Sequence, residues 1–164
     1  MKRSICIVLI IAFLLCGCSL TGERIKEPVT FYYLCSSFQE NLCCVVLSEE
    51  REASGHTGDL SYLLALYLMG PANDELRSPL PPDTKILSVQ QLGEKLMIEL
   101  SDTDSKLSDI DYSLAGACLT MTCLDISSAG SVTIKSGSRS VTMDSDSLSL
   151  FDSNIEAAHE EATK

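Results

Sequence analysis

The sequence predicts an α+β fold, a compact two-layer sandwich with two helices packed on one face of a mixed sheet of four to six strands. Three observations predict it. Apolar, β-branched segments and helix-period segments alternate in the order ββ-α-ββ-α-β(β). Both helix-period segments carry start signals, and the first also carries a stop. The chain of 164 residues is 45% apolar and 21% charged, enough to bury one core.

Val29 to Leu34 is rich in β-branched and aromatic residues and reads as a strand. Ser36 to Asn41 is a loop. Leu42 to Glu52 begins as a second strand and becomes charged. Gly55 to Gly58 breaks it. Asp59 is a fitting N-cap for a helix to Met69, with Leu60, Leu63, Leu64 and Tyr67 on one face. Gly70-Pro71 stops that helix, glycine supplying the left-handed turn and proline preventing continuation. Asn73 to Thr84, with Pro79, Pro81 and Pro82, is an extended connection. Lys85 to Gln90 and Lys95 to Leu100 form a hairpin around Leu92-Gly93-Glu94. Ser108-x-x-Asp111 starts a helix to about Asp125, with Ile110, Leu114, Cys118 and Met121 as its apolar face. Ser131 to Ser136 is a further strand, and Val141 to Met143 a short last one. The polar segment Phe151 to Lys164 is a frayed end or a short helix.

The N-terminus has its own pattern. Lys2 and Arg3 precede eleven apolar residues, Ile5 to Leu15. As a helix this run is about 16 Å long, roughly half a hydrocarbon core, so it reads as the apolar part of an export signal. It ends in Leu15-Cys16-Gly17-Cys18, which resembles the bacterial lipobox. That resemblance implies cleavage after Gly17, a diacylglyceryl thioether on Cys18 and further acylation such as palmitate. Two or more acyl chains anchor stably where one is marginal. The divisions that follow are a signal peptide over 1–17, a lipid-anchored tether over 18–28, a domain over 29–143 and a polar tail over 144–164. The expected location is the outer, extracytoplasmic face of the cell membrane, with the membrane as the first partner.

The net charge is −11, and about −13 from Cys18 onward, because Lys2 and Arg3 fall in the signal. Nucleic acid is an unfitting partner for so acidic a surface. Of the eight cysteines, Cys35, Cys43, Cys44, Cys118 and Cys123 lie beyond the lipid site. An odd number cannot all pair internally. A link from Cys35 to Cys43 or Cys44 is one option, and small buried hydrophobes are the other.

Catalytic and metal patterns are missing. There is no phosphate loop, no G-x-S-x-G elbow and no C-x-x-C pair. His159-Glu160-Glu161 lacks the second histidine of a zinc helix. Asp102-x-Asp104 opens like a calcium loop, yet Lys106, Leu107 and Ser113 stand where oxygen ligands, glycine and glutamate belong. Asp144-x-Asp146 fails alike. His56 could join a cysteine only if the fold brought one to it. The expectation is a protein that is not an enzyme, with no catalytic residues, no metal and no cofactor.

One set of residues resembles a known family. A charged strand end at Leu47, Glu50 and Arg51 is followed by Ala65-Leu66-x-Leu68-Met69-Gly70-Pro71. Next come Leu76-x-Ser78-x-Leu80-Pro81-x-x-Thr84-Lys85-Ile86-Leu87-Ser88-Val89 and Gly93-Glu94-Lys95-Leu96-Met97-Ile98-Glu99-Leu100-Ser101. Val132-Thr133-Ile134-Lys135-Ser136-Gly137 closes the series. Over roughly Val29 to Val141 this is similar to the GerMN domain of sporulation and spore-germination proteins. It departs at Asp83, where glycine is common, at Glu99, where aspartate is, and at Cys118 to Thr122, where the family has an Asn-Thr-Leu run. The resemblance implies a non-catalytic interaction domain acting in sporulation or germination. Its implied partners are envelope proteins, peptidoglycan or further copies of itself. Most motif positions have plain structural readings: Gly70 and Pro71 end a helix, Gly93 turns a hairpin and Ser101 bonds a loop. Arg51 is the candidate contact residue, set against a salt bridge to Glu49 or to a neighbouring helix. The alternatives are a small-ligand or metal-binding lipoprotein of the vegetative envelope, and a cell-wall hydrolase accessory.

Overall fold

The computed structural model describes residues 26–36 and 46–149. The signal, Cys18, most of the tether, the loop before the second strand, Cys43, Cys44 and residues 150–164 lie outside the described residues.

The first strand, β1 (Pro28–Cys35), turns Val29, Phe31 and Tyr33 into the core by simple alternation. It pairs antiparallel with β2 (Val46–Glu52), Tyr32 opposite Ser48, and at its end with the two-residue β3 (Leu76–Arg77). Between them comes helix α1 (Leu60–Leu68). Its N-cap is Asp59, whose carboxylate accepts from the Tyr62 N–H at 3.0 Å. Leu63, Leu64 and Tyr67 are its buried face. Gly70 ends it at φ +85°, the left-handed conformation anticipated from the Gly-Pro pair.

The second sheet has the order β4-β5-β6-β7. Strands β4 (Ile86–Leu92) and β5 (Lys95–Leu100) are antiparallel and joined by Gly93-Glu94, with Gly93 at φ +61°. Helix α2 (Asp109–Ile126) then crosses over to β6 (Ser131–Ser136), which lies parallel to β5. A second two-residue turn leads to β7 (Arg139–Asp144), antiparallel to β6. The sheet is therefore mixed, as its pattern required. Leu96, Ile98, Leu100, Val132 and Ile134 form its buried face. Residues 145–149 open a further helical turn, where the Asp144 carboxylate accepts from the Ser147 N–H at 2.9 Å.

The α+β class holds, with one refinement: the strands divide between a three-stranded and a four-stranded sheet. Helix α2 packs on β1 of the first and on β6 and β7 of the second. A helix serving two sheets is apolar nearly all round, and this explains a second correction. Of the expected face of Ile110, Leu114, Cys118 and Met121, Cys118 is fully buried, Leu114 and Met121 are half-buried, and Ile110 is 74% exposed. The buried residues also include Tyr112, Ala115, Gly116, Leu119 and Cys123, which that face left out. Gly116 lets β7 come close, since a Cβ there would stand 2.9 Å from Val141 Cγ1.

The core centres on an aromatic trio. Tyr33 and Tyr67 stack at 4.9 Å and 5°, and Phe31 meets Tyr67 edge-on at 5.8 Å. All three are fully buried. Burial of each ring contributes about 1.5–3 kcal/mol, and the ring pairs add about 0.5–1.5 kcal/mol. Burial pushes both phenols well above their ordinary pKa, so both remain hydrogen-bond donors. Tyr33 donates to the Tyr67 carbonyl and Tyr67 to the Tyr32 carbonyl, each at 3.1 Å.

Candidate functional site

Two of the segments that resemble the family pattern, the end of β2 and Gly70-Pro71, meet at the end of α1. Alternation along β2 points Leu47, Glu49 and Arg51 inward together, and Ser48, Glu50 and Glu52 outward. The inward pair grips the helix-ending turn. Arg51 donates to the Gly70 carbonyl at 3.1 Å and lies 3.5 Å from Glu49. Glu49 accepts from the Ala72 N–H with both oxygens, at 3.1 and 3.0 Å, and from the Asn73 N–H at 3.3 Å. Pro71 lacks an N–H, so the chain around it is held by side chains of a neighbouring strand. Arg51, singled out from sequence as a contact residue, is engaged on both counts weighed for it: the Glu49 salt bridge and the neighbouring helix.

Beside this turn runs an open groove of about 560 Å³ lined by Ala65, Leu68, Met69, Gly70, Ser78, Leu80 and Pro82. Met69 stands on its rim, 79% exposed. The Ser78 hydroxyl is used locally, exchanging bonds with the Leu80 backbone at 3.1 and 3.2 Å. The groove holds apolar surface and no titratable side chain. It can seat an apolar group but has nothing with which to move a proton.

The other residues flagged in the sequence are engaged structurally. Asp104 accepts from the Ser138 N–H at 3.0 Å and hydroxyl at 2.7 Å, and faces Arg139 at 3.3 Å. Those Ser138 bonds, with Arg139 beside them, hold its carboxyl below the usual aspartate range. Arg139 also donates to the carbonyls of Asp104, Leu107 and Ser108 and lies over the Tyr112 ring at 5.2 Å. The Asp102-x-Asp104 segment thus fastens the β6–β7 turn to the entry of α2. Asp83 is ion-paired with Lys106, and Glu99 accepts from Ser88, so two departures from the family pattern have partners of their own. Ser101 exchanges bonds with Lys85 at 2.9 and 2.8 Å. The His56 ring stacks on Tyr62 at 4.2 Å. Burial pushes the Cys118 and Cys123 thiols up to about 12, which leaves them unreactive at neutral pH. Among the described residues no three His, Cys, Asp or Glu side chains gather where a metal ion could sit. Among the same residues no helix is long and apolar enough to cross a membrane.

Sequence reasoning missed the part played by Glu49, although the period of two in β2 places it beside Arg51. It also missed β3, since two residues leave no periodicity to read.

No family model and no curated protein matches the sequence. The architecture does have a match among solved structures: the tandem GerMN domains of the sporulation protein GerM from Bacillus subtilis, at TM-score 0.50 and 16% identity. The match covers 68% of this chain and 39% of that one. The fold is that of a GerMN domain. A candidate lipoprotein from Clostridium perfringens is also similar, with TM-score 0.43 and 18% identity over 73% of this chain and 89% of that one. The GerMN fold places the signature turn, the Glu49–Arg51 grip and the apolar groove on one side of α1. The chain spans about 39% of the tandem GerM structure, so it corresponds to part of that protein.

Proposed function

We propose that this chain is a lipoprotein held at the outer face of the cell membrane through Cys18, and that its GerMN-like domain works by binding envelope protein or cell wall during sporulation or spore germination. The single observation that carries this reading is the GerMN fold, found in a chain whose first residues read as an export signal ending in a lipobox. The side chains around the signature turn support binding over catalysis, because each polar group there is spent on holding the turn. The short tether fits a domain working near the bilayer: ten residues reach no more than about 35 Å.

The test is the heat-resistant spore titre of a strain lacking the gene, complemented with the wild type or with Cys18→Ala. The expected result is a fall that wild type rescues and Cys18→Ala does not. An unchanged titre with normal germination would remove sporulation from the reading. Retention of labelled palmitate by Cys18→Ala would remove Cys18 as the site of the anchor.

A further inference from the structure

Strand β4 ends the four-stranded sheet and, among the described residues, bonds only to β5. Exposed strand edges are normally protected by charge. Edge strand β2 carries Glu49, Glu50, Arg51 and Glu52, and β7 carries Arg139 and Asp144. Strand β4 reads Ile-Leu-Ser-Val-Gln-Gln-Leu and has no charge at all, in a chain of net charge −11. Its one irregularity, a bulge between Ile86 and Ser88, protects only the start and leaves Ser88 to Leu92 in regular register. This is also where apolar side chains reach solvent: Leu87 is 61% exposed, Leu92 77% and Met97, opposite Gln90, 39%.

The register determines which backbone groups are on offer. Leu92 and Lys95 flank a two-residue turn, so they form a hydrogen-bonded pair. Alternation then turns Gln90 and Ser88 toward β5, and the N–H and C=O groups of Val89 and Gln91 outward. No described residue bonds those outward groups.

We infer that the β4 edge is a pairing surface for a second copy of this chain. Two β4 strands meet antiparallel about a two-fold axis at Gln90. Val89 of each copy then faces Gln91 of the other, which supplies four backbone hydrogen bonds and joins two four-stranded sheets into one of eight. The outward rows pair Gln90 with Gln90 and Ser88 with Leu92, so no like charges oppose each other. The arrangement is isologous and closes at two copies. Strand pairing alone buries less than the 1,200–2,000 Å², roughly, of a stable complex. The pair is therefore sparse in dilute solution and fills when chains are confined to one plane. In that respect the inference rests on the lipid-anchored reading above.

The test uses the full chain in its own membranes, with a benzophenone amino acid in place of Leu92 and, as control, in place of Thr142, on the same sheet face but on the opposite, charged edge strand β7. Irradiation should give an adduct of twice the chain mass from position 92 and none from position 142. Gln90→Lys, which sets two ammonium groups face to face, should cut that adduct at least tenfold while leaving the melting temperature of the purified chain unchanged. Absence of the double-mass adduct overturns the pairing, as does an adduct undiminished by Gln90→Lys or one formed with a different protein. Labelled palmitate in the same cells reads the anchor separately: label without adduct defeats the pairing alone, and adduct without label defeats the anchor alone.

Discussion

The backbone N–H of Tyr32, in the middle of β1, donates to the Thr122 hydroxyl of α2 at 3.0 Å. The carbonyl of the same residue accepts from the Tyr67 hydroxyl of α1 at 3.1 Å. In a strand, one residue's N–H and C=O point the same way, here away from β2. The side of β1 that β3 is too short to cover is thus completed by one side chain from each helix. This is why the strands form two sheets: the position a further strand would occupy is held by helix side chains.

Thr122→Val should leave the Tyr32 N–H buried and without a partner. The expected loss is about 1–3 kcal/mol, read from the midpoint of urea unfolding. Thr122→Ser keeps the hydroxyl and should lose less. A loss for Thr122→Ser with none for Thr122→Val would show that the methyl group, not the hydrogen bond, matters at this position.

Tyr67 separates packing from hydrogen bonding. Tyr67→Phe retains the stack on Tyr33 and removes one hydroxyl, for an expected loss of about 0.5–1.5 kcal/mol. Tyr67→Ala empties the centre of the core and should lose about 3–5 kcal/mol.

Gly116→Ala tests the approach of α2 to β7. Alanine gains about 1 kcal/mol of helix propensity, but the new Cβ falls 2.9 Å from Val141 Cγ1, an overpacking that costs about 1–3 kcal/mol. The single variant should be destabilised. In a double-mutant cycle with Val141→Ala, the pair should be more stable than the two single effects predict. Strict additivity would mean that the strand simply moves aside.

Two dependences on pH follow, of opposite sign. The folded state holds the Asp104 carboxyl below its unfolded value of about 3.9, so its contribution is present above that value and is lost as pH falls. Asp104→Asn should flatten the stability curve below about pH 4. Cys118 and Cys123 are raised to about 12, so their contribution is complete below the unfolded value of about 8.5 and declines as pH rises past it. At pH 8 an alkylating reagent should leave both thiols unmodified in the folded chain and label both in urea.

Much of this architecture was legible because local chemistry dictated it. Asp59, Gly70, Gly93 and Ser108 occupy the cap and turn positions that their residue types predict. Periodicity served strands with one buried face, such as β6, whose bounds were read correctly as Ser131 to Ser136. It misjudged α2, since a helix between two sheets has no polar face to orient it and Ile110 then reads as core. The division into two sheets was not legible, because it depends on Thr122 and Tyr67 reaching a backbone group far away in sequence. The signature turn was visible as Gly70-Pro71, but its grip by Glu49 needs a strand to lie beside it.

The contact between Tyr32 and Thr122 also has a bearing on time, because 90 positions of chain separate its partners. Closing so long a loop is entropically slow, and folds rich in such contacts assemble late. If the chain emerges from a membrane N-terminus first, β1 arrives well before α2 exists to complete it. For that interval its backbone groups face water, or any other strand nearby. Factors that hold emerging chains apart should therefore affect the yield of this protein more than its final stability.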